Sequence, residues 1–168
     1  MEKMMYLAPV LGIVALVFAF VLAGRVGKMD EGTDRMKEIA GSIREGANAF
    51  LKAEYKILII FAVVLFLLIG FGVGWKTAVC FVVGAVFSTL AGYFGMTVAT
   101  KANVRTANAA RTGGMNKALS IAFSGGAVMG MSVVGLGLLG VGAVYTVTGD
   151  ANILFGFGLG ASSIALFG

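Results

Sequence analysis

The sequence predicts an all-α integral membrane protein, a multi-spanning bundle with five transmembrane helices. Hydrophobic residues make up 59% of the chain and charged residues only 12%, whereas soluble domains carry about 25% charged residues. The apolar residues form five long runs without a single charge, and the mean hydropathy is +0.97. The 26 glycines fit the same class, because glycine lets membrane helices approach closely.

The five uncharged runs are close to the length of about 20 residues that a helix needs to cross a bilayer. They cover residues 4–24, 57–75, 77–100, 118–149 and 151–168. The fourth run is too long for one perpendicular span, so we expect a tilted helix or a first turn outside the bilayer. Two polar segments, residues 25–56 and 101–117, lie between the spans and belong to one side of the membrane.

The polar residues 32–56 predict an amphipathic helix that continues into the second span. Apolar residues recur there at steps of three and four, which is the pattern of one helix face. Thr33 is a suitable N-cap, and Asp34 follows in the first turn, where the helix dipole favours negative charge. No proline interrupts the way to residue 74, so we expect one helix that begins in water and ends at the far side of the membrane.

The positions of the basic residues predict the orientation. If the N-terminus lies outside, seven Lys/Arg residues in 25–56 and four in 101–117 are cytoplasmic, which is eleven of the thirteen. This agrees with the positive-inside rule. We therefore expect a multi-pass protein of the cell membrane, and the net charge of +5 gives no reason to expect nucleic acid as a partner.

Two glycine patterns predict details of the helices. The Gly113–Gly114 pair is expected to break the helix after the second polar segment. Gly84, Ser88 and Gly92 follow one another at steps of four, which predicts a close-contact seam with another helix along this face.

The charged residues do not predict a catalytic, substrate-binding or metal site in this chain. No charge lies inside any apolar run, which excludes a rotary-ATPase proteolipid with its mid-membrane carboxylate. Asp30, Glu31 and Asp34 admit a magnesium site, but a solvated helix start beside basic residues is the preferred interpretation.

Two further polar groups have a functional and a structural interpretation. The basic segment 101–117 admits phosphate binding, although a topology signal resting on anionic lipid headgroups is preferred. Ser162 and Ser163 in the fifth span are candidates for a pore-facing position. The preferred interpretation of these serines is a hydrogen bond to another helix or to the preceding turn.

Four blocks resemble the N-terminal region of membrane-bound, ion-pumping pyrophosphatases. They are MKEIAGSIREGANAFLKAEYK (36–56), TKANVRTANAAR (100–111), MNKALSIAFSGGAVMGMSVVGLGLLG (115–140) and FGFGLGASSIALFG (155–168). The resemblance implies a homodimer with about sixteen transmembrane helices in each complete subunit. It also implies hydrolysis of Mg²⁺-bound pyrophosphate at the cytoplasmic side, coupled to H⁺ or Na⁺ transport, with K⁺ as a possible cofactor.

The resemblance also implies that the catalytic residues lie outside this chain. In the family an arginine, a lysine and a series of aspartates follow the ALFG motif, which occupies residues 165–168 here. We therefore expect an N-terminal fragment of the pump's single membrane domain, inactive by itself. The alternatives are a small non-enzymatic membrane scaffold or passive channel, and half of a secondary transporter, for which the chain lacks internal repeats.

Overall fold

The computed structural model describes residues 7–166, and every regular element in that range is an α-helix. The helices are α1 (Leu7–Gly27), α2 (Asp34–Gly72), α3 (Trp75–Thr148) and α4 (Ala151–Ala165). The all-α prediction is therefore confirmed. The first three residues of the predicted first span and the last two of the fifth lie outside the described residues.

α2 confirms the predicted continuous helix. The hydroxyl of Thr33 accepts a hydrogen bond from the backbone N–H of Met36 at 3.4 Å and so caps the first turn. The helix then runs for 39 residues, which is about 58 Å. At its far end the backbone N–H groups of Val73 and Gly74 both donate to the Ile69 carbonyl at 2.9 Å, which satisfies one of the last carbonyls.

α3 contains 74 residues and breaks at Gly114, where φ is 77° and ψ is −179°. Glycine adopts this conformation without the steric cost that a Cβ would bring. The break separates a first arm (residues 75–113) from a second arm (residues 115–148). The polar segment 101–117 is thus helical as far as the break, and the prediction of a break at the glycine pair is confirmed at its second member.

The two arms of α3 pack against each other as an antiparallel hairpin. Residues close to the break on one arm contact residues close to it on the other, and the pairing continues outward in register. The facing residues are Ala109 with Ala118, Ala102 with Gly125, Val98 with Val128, Gly95 with Met129, and Phe87 with Gly140.

The remaining helices pack on this hairpin at glycines. α1 runs antiparallel to the second arm, and a Cβ added to Gly12 would lie 2.7 Å from the carbonyl oxygen of Gly135. α4 runs parallel to the first arm, because Gly156 meets the Thr77 carbonyl and Gly160 meets the Phe81 carbonyl. These backbones approach so closely that only glycine fits at these positions.

α2 runs antiparallel to the first arm of α3. Ile69 packs on Ala78, Leu58 packs on Ala85, and the Tyr55 hydroxyl donates to the Thr89 carbonyl at 3.3 Å. Each pair lies further from the tight turn at residues 73–74 than the one before. Successive helical segments of the chain therefore alternate in direction.

The predicted seam of Gly84, Ser88 and Gly92 is correct only at its first residue. A Cβ added to Gly84 would overlap the Phe157 carbonyl of α4, whereas one added to Gly92 would meet no atom within 4 Å. Ser88 is half-buried. The seam consists instead of Gly84 and the α4 glycines at 156 and 160, because α4 crosses the first arm and then leaves the line of small residues.

Three of the helices are long and apolar enough to cross a membrane, namely α1, α2 and α3, and α4 is a shorter apolar helix of 15 residues. Many large apolar side chains point outward from the bundle; Phe20 and Phe71, for example, are 81% and 80% exposed. Water would disfavour such a surface, whereas lipid would not. The architecture is that of a membrane helix bundle.

Candidate functional site

A polar cluster lies where the loop between α1 and α2 meets the first arm of α3, close to the break at Gly114. Its centre is Arg105, which is only 6% exposed. A buried guanidinium requires partners for its donors, because an unpaired buried charge is costly. We call this group of residues, Arg105 and Asn108 with Asp30 and Glu31, the polar clamp.

Arg105 binds the α1–α2 loop through both charge and hydrogen bonds. Its Nε donates to the Met29 carbonyl at 3.0 Å, and one terminal nitrogen donates to the Gly27 carbonyl at 2.9 Å. The same nitrogen lies 2.9 Å from the Glu31 carboxylate. The other donates to the Lys101 carbonyl at 2.7 Å, one turn back on its own helix. The planar fork of arginine suits this set of acceptors.

Asn108 holds the next part of the same loop. Its side-chain amide donates to the Asp30 carboxylate at 3.1 Å, and the second Asp30 oxygen accepts the Gly32 backbone N–H at 3.0 Å. Gly32 has a φ of 87°, and a Cβ there would lie 2.8 Å from the Asn108 amide oxygen. Arg111 then donates to that oxygen at 3.0 Å, which fixes the orientation of the amide.

These contacts lower the pKa of Asp30 below its ordinary value. The main cause is the hydrogen bond from the Gly32 backbone, and the second is the one from the Asn108 side chain. Both bonds favour the ionised carboxylate. Asp30 therefore remains a charged acceptor within the clamp at neutral pH.

The polar clamp was not predicted from the sequence, although the helical period contained a signal. Val98, Ala102, Arg105 and Ala109 follow one another at steps of three and four and share one face of the first arm. All four are buried. An arginine in line with small apolar residues indicates a cation that faces the bundle, not the solvent.

The three acidic residues considered for a magnesium site serve different contacts. Asp30 binds Gly32 and Asn108, Glu31 pairs with Arg105 and also lies 3.7 Å from Arg44, and Asp34 pairs with Lys37 at 3.2 Å. Only Asp34 belongs to a solvated helix start. Within residues 7–166 no group of three or more Cys, Asp or Glu side chains comes together as a metal site.

The basic segment 101–117 divides into two parts. Arg105 belongs to the clamp and Arg111 donates to the side chain of its Asn108, whereas the side chains of Lys101 and Lys117 are exposed and make no bond to it. Half of its cations are therefore structural. The side chains of the two lysines stay free of the clamp and are available to lipid headgroups.

Ser162 lies on α4 away from its packed face, whereas Ser163 lies one helical turn beyond Gly160, at the edge of that face. Gly156, Gly160 and Ile164 are buried, whereas Ser162 is exposed and Ser163 is half-buried. Neither hydroxyl makes a hydrogen bond to another residue in the range 7–166, so the interhelical bond or back-bond is not present there. Their pore-facing position stays a prediction.

A groove of about 540 Å³ runs between α2, both arms of α3 and α4. Its lining is almost entirely apolar, with Glu54 and Ser88 among the few polar residues. The groove is also lined by Phe50, Phe87, Gly92, Ala99, Val133, Gly137, Phe157, Ile164 and Ala165.

The amino-acid sequence is similar to those of pumps that are named as driven by pyrophosphate. The family model described as inorganic H⁺ pyrophosphatase matches residues 13–168. A Clostridium tetani protein with the provisional name K(+)-stimulated pyrophosphate-energized sodium pump is 57% identical over 168 residues, covering 99% of this chain and 25% of that protein. The K(+)-insensitive pyrophosphate-energized proton pump of Methanosarcina mazei is 48% identical, again covering 99% of this chain and 25% of that protein.

The similarity extends to a sodium pump of another organism. The K(+)-stimulated pyrophosphate-energized sodium pump of Thermotoga maritima is 41% identical, with 92% of this chain and 24% of that protein covered. The chain thus spans about a quarter of the length of the curated relatives it matches. Because the family model covers almost the whole sequence, the chain belongs to the inorganic H⁺ pyrophosphatase family.

Proposed function

We propose that residues 1–168 are the N-terminal part of a pyrophosphate-energised ion pump. The complete pump would hydrolyse Mg²⁺-bound pyrophosphate with one water to two phosphates and move H⁺ or Na⁺ across the membrane. The observation that supports this most strongly is the family match over residues 13–168. The names of the relatives agree, and those relatives are about four times as long as the part matched.

These residues would serve as a scaffold and would not themselves carry out the chemistry. Pyrophosphate with Mg²⁺ needs clustered carboxylates and cations, and the residues of the range 7–166 do not offer a group of three. This supports a metal site whose ligands lie elsewhere in the longer polypeptide. The polar clamp holds the α1–α2 loop against α3.

The orientation we propose places the N-terminus outside the cell membrane and the polar clamp in the cytoplasm. Five spans would then cross, out of about sixteen in the complete subunit. The alternating directions of the helical segments support five crossings, and with the N-terminus outside α1, the first arm of α3 and α4 would all run inward. The distribution of Lys and Arg supports the same orientation.

The identity of the ion and the dependence on K⁺ stay open within this proposal. Relatives above 40% identity include both sodium and proton pumps, and both K⁺-stimulated and K⁺-insensitive ones. We propose a homodimer in the lipid membrane, as the resemblance implies. Ser162 and Ser163 are proposed to face the ion path, supported by their hydroxyls' lack of partners in the range 7–166.

Two measurements test the proposal. The first is the coding sequence beyond codon 168, which should continue with an arginine and then a segment rich in lysine and aspartate. The second is Mg²⁺-dependent release of phosphate from pyrophosphate, expected from membranes holding the complete protein and not from the purified 168-residue chain. A stop codon after 168 would favour the non-enzymatic scaffold or channel. Hydrolysis of pyrophosphate by the 168-residue chain would contradict the proposal that these residues carry no catalytic group.

A further inference from the structure

We propose that the groove between α2, the two arms of α3 and α4 receives one apolar transmembrane helix from the part of the pump outside residues 1–168. This rests on the proposed function, because that function supplies the remaining polypeptide. The proposal goes further by naming the surface and the chemistry of the helix that covers it.

The shape of the groove suits a helix. It follows the first arm of α3 from Phe87 to Ala99, a length of about 18 Å or three helical turns. Its floor contains Gly92 and Gly137, and a Cβ added to either would meet no atom within 4 Å. Glycines in open space let a second backbone approach closely, which is how helices associate in a membrane.

Two polar side chains of the groove, Glu54 and Ser88, favour a protein partner over a lipid chain. Glu54 is half-buried and makes no ion pair or hydrogen bond with any residue of the range 7–166. The hydroxyl of half-buried Ser88 also has no partner in that range. An acyl chain has no donor for either group, whereas a helix with a lysine, arginine or hydroxyl side chain at the level of Glu54 would satisfy it.

The amount of polypeptide outside the chain provides an occupant. About three quarters of each of the long relatives lies outside the region matched here. Ile164 and Ala165, in the last turn of α4, line the groove, so a chain that continues from α4 emerges beside it. Phe50 also lines the groove and belongs to an exposed apolar stripe of α2 with Ile39 and Ile43, which extends the same surface.

A photo-cross-linking experiment on the full-length protein in membranes tests this surface. A photoreactive benzoylphenylalanine replaces Val133, which lines the groove and is 50% exposed. The matched control replaces Val14, which is 59% exposed on α1. We expect the Val133 position to form an adduct with a peptide from beyond residue 168 of the same polypeptide, and the Val14 position to label lipid.

The outcomes separate the occupants. A lipid adduct alone at Val133, an adduct with residues 1–168 of a second copy, or the same peptide from both positions would overturn the proposal. If the Val133 variant does not accumulate, the probe replaces Phe87, an aromatic residue of the same groove, and the same criteria apply. The identity of the adduct, determined from its mass, tests whether a helix occupies the groove. Phosphate release and the coding sequence beyond codon 168 test the proposed function separately.

Discussion

Replacement of Arg105 by alanine tests whether the polar clamp holds the α1–α2 loop to α3. The substitution removes four contacts of 2.7–3.0 Å, to Gly27, Met29, Lys101 and Glu31. Removal of one partner from a buried ion pair costs about 3–5 kcal/mol. Glu31 keeps 29% side-chain exposure and has Arg44 at 3.7 Å, so we expect the lower end, about 3 kcal/mol.

A loss of about 3 kcal/mol lowers the folding equilibrium constant roughly a hundredfold, since 1.4 kcal/mol corresponds to a factor of ten. The assay is equilibrium unfolding in mixed micelles, with the fluorescence of Trp75 as the signal. Arg105→Lys should lose part of this stability, because an ammonium group lacks the fork geometry of guanidinium.

Arg35→Ala is the control for the loss of an arginine as such. Its ion pair with Glu38 is formed at 2.7 Å between side chains that are 74% and 66% exposed, and such an exposed helical pair contributes about 0.3–0.5 kcal/mol. Equal free energies of unfolding for Arg105→Ala and Arg35→Ala would refute the clamp as a stabilising element.

Three further predictions concern packing, pH and topology. Gly160→Leu should separate α4 from α3 and lower stability by about 2–3 kcal/mol, while Gly158→Leu, with open space around it, should leave the unfolding midpoint unchanged. The folded-state pKa of Asp30 is lowered, so the contribution of its carboxylate to the free energy of unfolding is present above the ordinary pKa of 3.8 and is lost as the pH falls through the folded-state pKa. The unfolding curves of Asp30→Asn and of the wild type should therefore differ at pH 6 and converge at low pH. An impermeant thiol reagent added to intact cells should label Lys76→Cys and not Lys117→Cys, and labelling of the latter would contradict the orientation.

The sequence predicted those parts of the fold that depend on local chemistry. Thr33 caps α2 as expected, since a hydroxyl three residues before a free N–H is a local arrangement. Gly114 breaks α3 because glycine adopts the positive φ found there without the steric cost that a Cβ would bring. Composition and the long uncharged runs were sufficient for the class of protein.

The parts that were missed depend on how separate helices meet. Arg105 looked like one more cytoplasmic cation, because its partners at residues 27–31 lie more than 70 positions away. The seam predicted to include Gly92 failed since the crossing of α4 over α3 is set by a pair of helices, not by the spacing within one. The same limitation concealed the groove, which four helical segments form together.

The distribution of close contacts connects the clamp, the glycines and the groove. In lipid the hydrophobic effect does not drive helices together, so helices associate through tight packing and polar contacts. Gly12 and Gly160 each meet a backbone closely, and Arg105 fixes the α1–α2 loop at the other end of the bundle. Gly92 and Gly137 have the same capacity for a close approach but face open space in the groove. A scaffold with both used and unused contact surfaces has the form expected of one part of a larger bundle, and the unused surface is where the rest of that bundle should attach.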